Sequence, residues 1–330
     1  MPEKYNPPGG GIRGLCAFWN GFIPGKPKFT EKDYPKLNGK VVIVTGATSG
    51  VGYEVAKSLL GSTNAKVYLF NRSEQKTIDV IKRLEVEVAN EYNKSELNVD
   101  YILVDYADLP SIKPAAEQFL NKEERLDLII HNAGIMAPPL GSKTKQGFDL
   151  QLGTNDFGPH LLQKFLDPLI IKTSKRNKPG ETRIVWVSSF AHFSAPLGGV
   201  HYSDPNFTKT EASPMQIYGQ SKALNIIQAR AWNSKHPDGS NIISVSLCPG
   251  FLNTELQRHG GSFQLKMSQY LHKARFGAYT ELFAAFAPEV KTGDHIESFG
   301  KVTKSRKDLE DPKAISKGWE FLDENVKPYL

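Results

Sequence analysis

The chain has 330 residues, of which 39% are apolar and 23% charged, and its formal net charge is +6. That balance belongs to a globular protein; it excludes collagenous or low-complexity chains, and no apolar run is long enough to cross a bilayer. The densest basic group, Lys172, Lys175, Arg176 and Lys178, lies beside Pro179 and Gly180. It therefore reads as a solvated surface loop, and no nucleic-acid partner is expected.

Residues 1–38 are rich in Gly and Pro and are expected to form an irregular arm. Within it, Leu15, Phe18, Trp19, Phe22 and Ile23 suit either insertion into a membrane or lipid-droplet surface or packing back onto the domain. The glycines around them argue against a stable isolated helix. No charged-then-apolar leader is visible in MPEKYNPPGG, and two cysteines, Cys16 and Cys248, are too few for a disulfide framework. Both features fit a reducing, cytoplasmic setting.

From residue 39 to 330 the pattern is that of one domain. Short β-branched runs at 40–45, 66–70, 99–104, 126–131, 183–188, 241–247 and 295–299 alternate with helical stretches. The helices are expected near 52–60, 74–92, 110–121, 155–171, 214–235, 276–287 and 312–326. Near-continuous apolar runs suit strands covered on both faces. The fold class is therefore α/β: a doubly wound (Rossmann) parallel sheet of about seven strands, with helices on both faces.

The first strand runs into Thr45-Gly46-Ala47-Thr48-Ser49-Gly50-Val51-Gly52, and a helix follows. Glycines there allow a tight turn and a close backbone approach to a pyrophosphate, which then sits on free amides at the helix start. Gly46, Thr48, Ser49, Gly50, Val51 and Gly52 are the candidate cradle. After the second strand, where an acid would hold the ribose 2′-hydroxyl of NAD, the chain has Arg72. An Arg accommodates a 2′-phosphate, so the expected cofactor is NADP(H). There is no HExxH, no CxxC and no His pair at ligand spacing, so no metal is expected.

Further signatures follow in order: Asp105 after the third strand, His131-Asn132-Ala133-Gly134 after the fourth and Ser188-Ser189 after the fifth. Then come Tyr218-Gly219-Gln220-Ser221-Lys222 and, after the sixth strand, Pro249-Gly250. Together with the TGxxxGxG loop these resemble the short-chain dehydrogenase/reductase family over residues 40 to about 300. The wording around them looks most like its retinol-dehydrogenase-like branch, especially the fungal members. One departure is His131, which stands where the family has an Asn.

The resemblance implies a catalytic set of Ser189, Tyr218, Lys222 and Asn155, with Asn155 tying a water to the lysine. It also implies cofactor contacts at Asp105, Asn132, Ala133, Gly134, Tyr218, Lys222, Pro249 and Gly250. The chemistry agrees. Tyr218 and Lys222 are four apart, so on a helix they share a face. A phenol ordinarily titrates near 10, and a neighbouring ammonium, with the oxidised cofactor's cation, is expected to favour the phenolate. Tyr218 is then the general acid for carbonyl reduction and the base for the reverse, while Ser189 polarises the substrate oxygen. His160, His192 and His201 lie nearby but read as loop or surface residues.

The segments expected over the site are 136–140, 190–202 and 251–275, the last a candidate lid with Gly260-Gly261 at its centre. They offer Met136, Leu140, Phe190, Phe193, Leu197, Tyr202, Phe251, Leu252, Phe263, Leu265 and Met267. Such a lining implies a lipophilic carbonyl or alcohol as substrate. Family habit implies a homodimer through the helices near 155–171 and 214–235. The rival reading, a non-catalytic NADP-binding scaffold or redox sensor, predicts erosion of Ser, Tyr or Lys, and all three stand. An isomerase- or dehydratase-like member would use the same groups and differ in its product.

Overall fold

In the computed structural model the inner strands of the central sheet coincide with the β-branched, apolar runs of the sequence. The structure describes residues 3–5, 9–254, 256 and 271–330. Eight strands form one sheet: β1 (Val41–Thr45), β2 (Lys66–Asn71), β3 (Val99–Leu103), β4 (Leu128–His131), β5 (Arg183–Val187), β6 (Ile243–Leu247), β7 (His295–Glu297) and β8 (Lys301–Thr303). Their order across the sheet is 3-2-1-4-5-6-7-8. β1 to β7 are parallel and β8 turns back antiparallel on β7. The three residues of β8 carry too short a run for sequence to distinguish from loop.

Every residue of β1 is buried. Val41 and Ile43 enter one core, Val42 and Val44 the other, one on each face of the sheet. That is why the run is apolar without alternation. The first described helix is α1 (Gly11–Phe22), followed by α2 (Gly50–Ser62), α3 (Glu74–Tyr92) and α4 (Ile112–Lys122). Then come α5 (Gly158–Ser174), α6 (Pro214–Lys235), α7 (Ala274–Phe286) and α8 (Pro312–Val326). The strand order reverses between β1 and β4, and that switch point opens a crevice at the carboxyl ends of the strands.

One expectation is corrected. The arm is not irregular throughout, because α1 is a twelve-residue helix. Its glycines disfavour a free helix but permit this packed one: a Cβ on Gly21 would sit 2.6 Å from the Phe251 ring, and one on Gly14 3.5 Å from Phe193. Polar ties hold it as well, with Arg13 donating to the Ser305 carbonyl at 2.9 Å and Asn20 to Glu297 at 2.9 Å.

The helices expected near 155–171 and 214–235 meet the last helix of the chain. α8 lies across α5 and α6: His160 and Lys164 both bond to Asp323, and a Cβ on Gly318 would lie 2.8 Å from Ile227. The chain's own last helix thus covers part of the surface formed by α5 and α6.

Candidate active site

The nucleotide loop is shaped by what cannot fit there. Gly46 has φ +68°, and a Cβ on it would fall 2.7 Å from the Ala133 Cα; one on Gly52 would fall 2.3 Å from Asn132 Nδ2. Asn132 spans the gap, donating to the Thr45 and Gly46 carbonyls at 2.9 and 3.1 Å, and the Ala133 amide donates to Thr45 Oγ1 at 2.9 Å. The turn is held from the other side by Asn71, whose Oδ1 accepts from the Ala47 amide at 2.8 Å. Sequence reasoning missed Asn71; its signal was a polar residue ending an otherwise apolar strand.

α2 begins at Ser49 with no side chain capping it. Its first-turn amides at Gly50, Val51 and Gly52 therefore face the crevice as donors for an anion, with Thr48 and Ser49 beside them. Arg72 is exposed at the end of β2, and among the described residues it has no ion pair. Asp105 sits past β3, its Oδ1 accepting from the Ala107 amide at 3.0 Å. On the opposite lip, Pro249-Gly250 follows β6; Gly250 has φ +106°, and a Cβ there would meet Ser298 Oγ at 2.4 Å. A cradle that excludes Cβ atoms, an uncapped helix start and a free guanidinium together fit a phosphorylated dinucleotide.

The catalytic candidates converge from three elements. α6 starts with a capping box, the Ser213 hydroxyl accepting from the Gln216 amide while Gln216 accepts from the Ser213 amide, and Pro214 stands in its first turn. One face of that helix carries Tyr218, Lys222 and Asn225 at spacings of four and three. All three are buried. Lys222 Nζ donates to the Val187 carbonyl at 2.8 Å and to Asn225 Oδ1 at 2.9 Å. It lies 5.6 Å from the centre of the Tyr218 ring and 3.6 Å from where a Cβ on Gly134 would be.

Burial brings Lys222 down to about 8, against the upward pull that Asp156, Glu281 and Cys248 exert when ionised. Burial pushes the Tyr218 phenol up, and only its hydrogen bond with Ser189 works the other way. The protein's own groups thus favour the protonated phenol, the form a general acid needs.

The two serines at the end of β5 separate cleanly. Ser188 is buried, and its hydroxyl donates to the Lys222 carbonyl at 2.6 Å, locking α6 to the strand. Ser189 is partly open, accepts from the Ala191 amide at 3.2 Å and faces Tyr218. Ser189 is the one free to meet a substrate. Asn155 sits in a π-helical turn (Gly153–Phe157) at the head of α5, a local widening frequent at functional sites. It caps no helix; Asp149 does that, accepting from the Gln151 and Leu152 amides. Asn155 instead accepts from the Ile135 amide at 2.8 Å and donates to the Ile135 carbonyl at 3.0 Å and to Ser221 at 2.9 Å.

The histidines take structural places. His131 is buried, stacked on Trp186 and bonded to Gln163 at 2.9 Å, with burial holding it down to about 4. His160 joins Asp323, and His201 lies within hydrogen-bond reach of Ser203. His192 comes nearest to the chemistry, its Nδ1 2.7 Å from the Ser189 carbonyl. Among the described residues no group of three His, Cys, Asp or Glu is placed to hold a metal.

Of the apolar residues expected over the site, Phe190, Phe193 and Phe251 do come together, and Phe18 and Phe22 of α1 join them. Phe190, Phe193 and Phe251, with Ala17, Gly21 and Cys248, wall a small cavity that His192 and Glu297 also line. Leu197 and Tyr202 are corrected: Leu197 is exposed, and Tyr202 packs on Phe321 of α8. Most of the candidate lid, with Gly260, Gly261, Phe263, Leu265 and Met267, lies outside the described residues.

Comparison with known proteins agrees with this arrangement. Residues 40–204 match the family model described as short chain dehydrogenase. The chain is 40% identical to the short-chain dehydrogenase/reductase pkfC of Emericella nidulans, across 92% of this chain and 98% of that protein. It is 36% identical to a short-chain dehydrogenase/reductase of Phomopsis amygdali, across 97% and 99%. Among solved structures it is similar to the NADPH-bound carbonyl reductase from chicken fatty liver, with a TM-score of 0.60 and 22% identity over 81% of this chain and 99% of that one.

Proposed function

The chain belongs to the short-chain dehydrogenase/reductase family, and from that footing we propose that it is an NADP(H)-dependent oxidoreductase acting on a lipophilic aldehyde or ketone, or on the corresponding alcohol. The observation that carries the reading is the convergence of Ser189, Tyr218 and Lys222 at the lip of a cradle with a free Arg72 beside it. A bound NADPH supplies the hydride; every other task falls to side chains of this chain. Ser189 and Tyr218 hold the carbonyl oxygen, and the protonated phenol delivers the proton as charge develops there. Lys222 holds the nicotinamide ribose and, as an ammonium, favours charge on Tyr218 as the proton leaves. Asn155 anchors the backbone at Ile135, next to Gly134 and Lys222. Arg72 takes the 2′-phosphate. The aromatic wall of Phe18, Phe22, Phe190 and Phe251 supports an apolar substrate.

The test is a screen of lipophilic aldehydes and ketones for NADPH oxidation, with product analysis. One alcohol formed per NADPH consumed is the expected result. A product isomerised or dehydrated without cofactor oxidation would sink the reading, as would NADPH binding with no turnover of any carbonyl or alcohol.

A second reading concerns where the enzyme works. While one face of α1 packs on the aromatic wall, Ile12, Leu15 and Trp19 on the other face, with Ile23 just past its end, are exposed. Lys26, Lys28 and Lys301 nearby are exposed too. An apolar stripe flanked by cations supports peripheral attachment, from the cytoplasmic side, to an anionic lipid or droplet surface. Flotation with vesicles containing anionic lipid should carry the protein up, and Ile12→Ser with Trp19→Ser should leave it at the bottom with its activity on a soluble carbonyl intact. Wild-type protein that stays at the bottom would end this reading.

A further inference from the structure

Between Lys222 and the turn that bears Asn155 lies a side chain to which no role was given by the sequence. Asn225 is buried on the catalytic face of α6. Its Oδ1 accepts from Lys222 Nζ at 2.9 Å, while its Nδ2 donates to the Asn155 carbonyl at 3.0 Å and to Asp156 Oδ1 at 3.1 Å. Two acceptors on one side and an ammonium on the other allow the amide only one orientation. We propose that Asn225 is the positioning residue of the catalytic lysine, a fixed bridge between the ammonium and the π turn. Where the resemblance implies a water held by Asn155, this chain places a side chain on the Asn155 carbonyl.

The bridge acts through geometry and charge together. Asn225 and the Val187 carbonyl engage two of the three ammonium protons, so the third is left for the crevice beside Gly134. A buried ammonium is costly unless its protons are bonded, and the Asn225 oxygen favours the charged form against burial. The charged and titratable groups that face Lys222 are Asp156 from the π turn, Glu281 from α7, Cys248 past β6 and Tyr218 on its own helix. Burial raises Asp156, Glu281 and Cys248, which favours their uncharged forms and leaves the dipole of Asn225 as a close, fixed partner. The consequence rests on the oxidoreductase reading only in its kinetic part, because the titration of Lys222 is a property of the protein itself.

The experiment compares Asn225→Leu, which keeps the branched outline and removes the bridge, with Asn225→Ser, which leaves room for a water to restore it. The expected result for Leu is a loss in kcat of about tenfold or more, with the alkaline limb of the reduction profile moved to lower pH. Asn225→Ser should recover most of the rate and the wild-type limb. A side chain that merely packs would give the opposite order, with Leu milder than Ser and both limbs unmoved; that outcome overturns the proposal. The Lys222 Nζ titration, followed by NMR in the protein without substrate, gives a second readout: a lower midpoint in Asn225→Leu is expected and an unchanged midpoint contradicts it. Should wild-type protein reduce no carbonyl, the functional reading fails while this titration still decides the bridge. Asn225→Val replaces the Leu variant should that one not fold.

Discussion

The two halves of the crevice are built on different principles. On the cofactor side, from β1 to β4, the shape is made by absent side chains and backbone amides: Gly46 and Gly52 have no room for a Cβ, and Asn132 and Asn71 tie carbonyls and amides into place. On the substrate side, the wall is made of large side chains from distant segments: Phe18 and Phe22 of α1, Phe190 after β5 and Phe251 after β6. A site built of backbone tolerates little change and takes one ligand class. A site built of aromatic side chains from separate segments can be re-cut for a new substrate while the chemistry between the halves stays put. Lys222, Tyr218 and Ser189 stand on that dividing line.

Substitutions should separate the halves accordingly. Lys222→Met touches both and has the largest expected effect: rate falls through Tyr218 and cofactor affinity falls through the ribose, for a combined loss of about a thousandfold or more in kcat/KM. Loss confined to one of the two parameters would place Lys222 in only one half. Ser189→Ala removes a donor at the substrate oxygen and should lower kcat by about 10²–10³-fold, with NADPH affinity measured by fluorescence titration unchanged. Arg72→Ala belongs to the cofactor side alone. NADPH binding should weaken by about ten- to a hundredfold while NADH is nearly untouched, and equal losses for both would show that Arg72 does not read the phosphate.

The smallest effect is expected at Gly21→Ala, where the new methyl meets Phe251. Shifting α1 should change KM for the carbonyl by about fivefold and leave NADPH affinity alone; an altered NADPH affinity would erase the division between the halves. The pH profile of the wild-type enzyme follows from Lys222. Its charged form predominates below about 8, so reduction should decline as pH rises through that value, and a rate still climbing there would contradict the role given to the ammonium.

Legibility in the sequence followed the same division. The glycine turn after β1 could be read directly because backbone geometry forces residue identity: a turn that excludes Cβ must be written in glycine. The strands were legible because a sheet covered on both faces leaves an unbroken apolar run, as Val41 to Val44 do. The spacing of Tyr218 and Lys222 was equally plain, and Asn225 was available at the next turn of the same face but had no motif to announce it. What stayed hidden depended on contacts between distant segments. Nothing in Gly10 to Gly21 shows that Phe193 and Phe251 will receive a helix there, and nothing in residues 312–326 shows that they will lie across α5 and α6. His131 looked like a departure from a motif; stacked on Trp186 and bonded to Gln163, it is a core residue.

The central claim is that the Tyr218 phenol delivers the proton when hydride reaches the carbonyl. The measurement that tests it most directly is single-turnover reduction of the best carbonyl by wild-type and Tyr218→Phe protein, both saturated with NADPH so that a binding defect cannot imitate a chemical one. The phenylalanine keeps the ring and removes the proton. The account predicts unchanged NADPH affinity with a rate lower by about 10²–10⁴-fold or more, and in the double variant with Ser189→Ala a loss smaller than the product of the two single losses. Reduction by Tyr218→Phe at a near-normal rate would contradict it.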